Sequence, residues 1–180
     1  MALKRSSELI TISGTHSNTT DGFAVDPTDL QLNPLDQEVF VVQAVKIDWT
    51  EPVPEPLGSL PAGTFWRVNQ PICFTTTRPA SLPTLGDSNC FATARRTAVA
   101  QIIAGNDIST YTLVEQNNTE MPDAEIPYLA IIATSDFFVS SLDDSQNLNN
   151  VNVAFKIYGY RAKADSATYA ALVQSEVLSS

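Results

Sequence analysis

Few side chains in this sequence could do chemistry, and their setting decides what kind. The only histidine, His16, lies in the polar stretch GTHSNTT with no buried carboxylate near it in sequence, and reads as a solvated loop histidine rather than a general base. One histidine and two distant cysteines do not make a tetrahedral zinc set. No GxSxG, HExxH, P-loop or GxGxxG pattern occurs, so no catalytic residue and no cofactor is expected. Asp48, beside Trp49, and Asp136, between Ser135 and Phe137, are the carboxylates in strand-like sequence where a glycosidase-type acid–base pair would be sought. Both stand near segment ends, where an aspartate more commonly serves a turn or accepts backbone hydrogen bonds. The run LDDSQNLNN gathers oxygen ligands of the kind calcium favours, with Asp143, Asp144 and Asn147 as the candidate set beside Ser145 and Asn149. It lacks the EF-hand order and its glycine, so a solvated turn is the plainer reading.

Cys73 and Cys90 have no CxxC spacing, and each adjoins a phenylalanine, as buried free thiols commonly do; a disulfide is the lesser alternative. Trp49 and Trp66 flank a proline-rich connection. They either pack against it or line a sugar site. Asn18-Thr19-Thr20 and Asn117-Asn118-Thr119 match the glycosylation sequon, which matters only in a secreted chain, and MALKRSSELITIS has no apolar run of signal-peptide type behind its two basic residues.

The elements that must position these groups come from a chain of 180 residues, enough for one sizeable core. Apolar residues are 43% of it and charged residues only 17%, while Thr, Ser and Asn are plentiful, a mixture suited to β structure with uncharged contact surfaces. The net charge of −10 repels phosphate, and the basic clusters Lys4–Arg5, Arg95–Arg96 and Arg161 with Lys163 are too small for a nucleic-acid footprint.

Along the chain, Leu9–Ser13 alternates as a short strand, and the turn-rich residues after it read as an extended arm or long loop. Glu38–Trp49 is apolar on both faces, a strand buried between layers. Strand sequence lies on both sides of Pro71, which marks a bulge, a bend or an edge. Phe91, Ala94, Ala98, Val99, Ile102 and Ile103 recur at helical spacing, so a helix is expected from about Asn89 to Ala104, capped by Asp87 or Ser88 and closed by Gly105. Thr110–Gln116 is a strand, and Pro127–Ser141 is one long bent strand or two joined near Thr134–Asp136. Val151, Val153, Phe155 and Ile157 alternate with polar residues on a clear half-buried strand. About eight strands with long loops indicate a mainly β fold, a β-sandwich with jelly-roll or Greek-key connections, one inserted helix and a short C-terminal helix. The expected division is an N-terminal arm over 1–37, a sandwich over 38–165 and a helical tail over 166–180.

That tail carries Tyr169, Leu172, Val173 and Val177 on one helical face, with Asp165 or Ser166 placed to cap it. A helix this short is marginal alone and must dock, on its own sandwich or on another subunit; these four residues are the subunit-contact candidates. The stretches EVFVVQAVKIDW, YLAIIATSDFFVSS and IYGYRAKADSATYAALVQSEVLSS are similar to pieces of small phage-like coat proteins, and the chain resembles the single jelly-roll major capsid proteins of tailless icosahedral viruses. The resemblance implies a non-enzymatic protein of the virion, assembled in the host cytoplasm. Its partners would be other copies of itself, with minor capsid or vertex proteins and an underlying membrane as further ones. The arm holds only Lys4, Arg5 and His16, unlike the Arg-rich arms of capsid proteins that grip RNA, so tight nucleic-acid binding is not expected and a shell over a membrane or other proteins fits better. A filament or surface-layer subunit and a carbohydrate-binding jelly-roll module using Trp49 or Trp66 are the alternatives.

Overall fold

A computed structural model describes residues 3–19, 22–50, 61–104, 107–116, 120–122, 127–143 and 151–178. The elements are β1 (Lys4–Arg5), β2 (Ile10–Asn18), β3 (Gly22–Asp29), β4 (Glu38–Trp49), β5 (Phe65–Thr75), β6 (Cys90–Ala104), β7 (Asp107–Gln116), β8 (Ala130–Ile132), β9 (Asp136–Asp143), β10 (Val151–Lys163) and α1 (Ser166–Leu178). All the strand pairs are antiparallel. Sheet A runs β2–β10–β4–β8, with β1 on the far end of β10, and sheet B runs β3–β9–β5–β6–β7. The pairings nest: β2 with β10, β3 with β9, β4 with β8, β5 with β6. A long hairpin rolled around a core gives this order, and it is the jelly-roll sandwich, with β7 as an added edge strand.

The strands form where apolar residues alternate. In β10, Val151, Val153, Phe155 and Ile157 face the core. In β4 the alternation changes phase: Phe40 and Val42 point inward, Gln43 is passed over in the register with β10, and Val45 and Ile47 point inward beyond it. That bulge makes β4 look apolar on both faces. Only Val39 and Val41, before it, are buried on the outer face. At the same place a side chain on Gly159 would run into the Val41 carbonyl and the Phe40 ring, so β10 needs a glycine there. Between the sheets Phe155 meets Phe74 edge-on at 5.3 Å and Phe137 at 6.0 Å, and Phe91 closes the quartet at 6.2 Å from Phe74.

The inserted helix is not there. Residues 90–104 form β6, with Ala92, Ala94, Arg96, Ala98, Ala100 and Ile102 buried and Arg95, Val99 and Ile103 exposed. The inward residues are mostly alanine, whose helix propensity masked a period of two. The expected arm is also corrected: β2 continues past Ser13 to Asn18, and β3 joins sheet B against β9. Pro27, Asp26 and Asp29 hid β3, an edge strand with one unpaired side. The two-strand alternative holds for 127–141, since β8 and β9 belong to different sheets. Pro71 is the last residue of β5 before β9 joins it, an edge setting that tolerates a proline.

Candidate functional site

His16 is not solvated. It is 1% exposed, and the inward alternation of β2 carries it between the sheets. Its Nδ1 lies 2.7 Å from Asp26 Oδ2 on β3 and its Nε2 2.8 Å from Ser141 Oγ on β9. Burial pushes the imidazole below its ordinary value, more than the Asp26 contact raises it. In the neutral ring Nδ1–H donates to Asp26 and Nε2 accepts from the Ser141 hydroxyl. The order Ser–His–Asp is that of a hydrolytic triad, but the Ser141 side chain is fully buried and has no room for a substrate carbonyl. The arrangement instead ties sheet A to sheet B. Its partners stand ten and 125 residues from His16, which hid them in the sequence.

The other sequence candidates scatter. Asp48 is exposed on the outer face of sheet A, opposite Ala154, and Asp136 opens β9 opposite Asp29 in sheet B. Asp143 is buried at the end of β9, while Asp144 and Asn147 of the calcium set lie outside the described residues. Trp66 is buried with Val68, Ala98 and Ala100, and Trp49 packs on the main core with the Arg96 guanidinium 5.9 Å above its ring. The buried Trp66 ring offers no platform to a sugar, while Trp49 is partly buried. Both cysteines are free.

The terminal helix docks in cis. Asp165 caps it, accepting from Thr168 N at 2.9 Å and Thr168 Oγ1 at 2.8 Å, which holds its carboxyl below the usual range. Tyr169, Leu172 and Val173 pack on Val39, Val41, Ala162 and Ala164 of the outer face of sheet A. Val177 does not join them and is 62% exposed. The anchor at that end is Glu176, which sequence reading missed. Its Oε1 accepts from Ala133 N at 2.9 Å and its Oε2 from Thr134 N at 3.0 Å, just before β9. Burial raises its pKa against the pull of those bonds.

Among the described residues, nothing covers the outer face of sheet B in the same way. Phe65, Val99, Ile103 and Val114 are exposed there, Phe65 by 70% and Val114 by 52%. Val99 sits diagonally between Phe65 and Val114, because it pairs with Arg67 and Thr112 while Phe65 pairs with Gln101 and Val114 with Thr97. The intervening outward residues are largely Thr and Gln. Beside them β7 ends the sheet, with no strand on its far side among the described residues. Four residues of the basic clusters are meanwhile paired with the chain's own acids: Arg5 with Glu8, Arg96 with Glu115, Arg161 with Glu38, Lys163 with Asp36.

No protein-family profile matches the sequence. No curated protein sequence matches it either. Among solved structures, similarity extends to the VP1 of Trichodysplasia spinulosa-associated polyomavirus, at TM-score 0.48 and 8% identity over 90% of this chain and 99% of that one. It extends as well to Merkel cell polyomavirus VP1 in complex with GD1a oligosaccharide, at TM-score 0.44 and 9% identity over 92% and 99%.

Proposed function

We propose that this chain is a structural subunit that assembles with copies of itself into a closed shell, as the major capsid protein of a virion. The observation that carries the reading is the exposed apolar strip on β5–β6–β7 beside the edge strand β7, neither of them covered among the described residues. A jelly roll serves many functions, so the fold alone decides nothing. What favours assembly is that His16 and Ser141 are buried while apolar side chains on the outer face of sheet B are exposed among the described residues. The engaged basic residues favour a shell that does not grip its genome directly, lying over other proteins or a membrane. The same surfaces could build a filament, and closure of the interface separates the two.

Sizing and negative-stain microscopy of the purified protein test this, with rings or shells expected. A species that stays monomeric across concentration, salt and calcium overturns it. Filter binding with DNA and RNA at physiological salt should show no sub-micromolar affinity; tight binding would return the basic residues to a packaging role.

A further inference from the structure

Cys73 and Cys90 are the chain's only cysteines, and β5–β6 brings them together. Cys73 pairs with Thr93 and Cys90 with Thr75, so the two stand on the diagonal of one antiparallel ladder, at an irregular step in its register. Each thiol perturbs the other's titration, which places the two sulfurs as close neighbours. Cys73 Sγ also lies 3.0 Å from the Pro83 carbonyl oxygen, under the connection from β5 to β6. We propose that Cys73 and Cys90 form a reversible intrachain disulfide that staples this connection, by exchange with a low-molecular-weight disulfide of the glutathione type.

The two thiols are unlike in the way exchange requires. Cys73 is buried, and the adjoining Cys90 thiol together with burial drives its own thiol far up. The Cys73 thiol in turn lowers that of Cys90, and a lower thiol pKa means more thiolate, the attacking species. Cys90 is half-buried and lines a cleft of about 170 Å³ with Ser88, Asn89, Leu172 and Ser175, which gives a small disulfide a way in. The Cys90 thiolate attacks one sulfur of the reagent, forming a mixed disulfide and expelling one thiolate. Cys73 then loses its proton, its sulfur attacks the Cys90 sulfur, and the second thiolate leaves. Two protein thiols are oxidised to one disulfide, the reagent is reduced to two thiols, and the two protein protons end on them. In a reducing cytoplasm the pair stays open; outside the cell it closes.

The test equilibrates the folded protein in mixtures of reduced and oxidised glutathione, then reads free thiols, intact mass and Tm. The expected result is loss of both thiols with no retained glutathione, and a Tm higher by about 5–10 °C, since closing a loop of this size restricts the unfolded chain. Dithiothreitol should reverse both. Cys90→Ala, at the half-buried position, should abolish the Tm response, and Cys73→Ala should leave a lasting glutathione adduct on Cys90. A wild-type protein that keeps its thiols, retains glutathione, links between chains, or closes without a rise in Tm overturns the proposal. None of these readings depends on whether the protein assembles.

Discussion

The outer faces of the two sheets present one problem with two outcomes. Each carries apolar side chains at outward positions: Val39, Val41 and Ala162 on sheet A, and Phe65, Val99 and Val114 on sheet B. On sheet A the chain supplies its own cover, and α1 buries that patch with Tyr169, Leu172 and Val173. On sheet B nothing among the described residues covers the strip, and Ile103 remains 54% exposed. The contrast favours the proposal made above, in which sheet B is the partner-seeking side.

Removing the lid should have the largest effect. Deleting Ser166 to Ser180 strips the cover from Val39, Val41, Ala162 and Ala164 and releases the two backbone N–H groups held by Glu176. Burial on that scale is worth on the order of 5 kcal/mol, so thermal melting should fall clearly and both faces become sticky. A truncated protein that melts unchanged but no longer assembles would mean that the helix serves a neighbour and that the two faces are alike. Phe155→Ala offers a core reference of about 3–5 kcal/mol, because it opens the aromatic quartet between the sheets and favours neither face. Glu176→Ala should cost about 2 kcal/mol by orphaning Ala133 N and Thr134 N while leaving the apolar face of α1 intact. Chemical denaturation of the three variants ranks them.

How far the sequence shows this contrast depends on how local each signal is. β10 is legible because Val151 to Ile157 alternates without interruption, and the helix because Asp165 and its apolar face lie within one segment. β6 was not, because Ala94 and Ala98 fit helix and strand alike, and the choice is made by pairing with β5 and β7. The strip on sheet B belongs to that same misread segment. Val99 and Ile103 fit the helical spacing of that segment, whereas the strand turns them outward. His16 could have been found by continuing Ile10, Ile12 and Gly14 two residues further, but Asp26 and Ser141 become its neighbours only when β3 and β9 come together.

Val114→Asp and Phe65→Asp act on the uncovered side alone. Both residues are exposed, so stability should stay within about 0.5 kcal/mol of the parent while assembly is lost, read as a shift to monomer on sizing. If both variants assemble as the parent does, the strip is not the contact and the comparison of faces loses its functional meaning.

The smallest effect separates the polar tie of the core from that of the lid, because their pH dependences run in opposite directions. His16 has a folded pKa below its ordinary 6.5, so the unfolded chain takes up its proton first. Its contribution is whole above pH 6.5 and is lost as pH falls through the folded value, by at most about 1.4 kcal/mol per pH unit. Asp26 faces it from β3 and Ser141 from β9, and the opposite residue on β10 is Val153, which does not titrate. Glu176 has a folded pKa above its ordinary 4.5, so the folded state takes up its proton first and stability rises as pH falls from that raised value toward 4.5. Denaturant midpoints measured from pH 7 to 4.5 should therefore fall less steeply in His16→Asn than in the parent, and more steeply in Glu176→Gln, which keeps an acceptor for the backbone but cannot titrate. Parallel profiles for all three proteins would show that neither group is coupled to folding. A steeper profile in His16→Asn would reverse the sign and mean that the buried imidazole is held charged against Asp26, an ion pair between the sheets rather than a neutral tie.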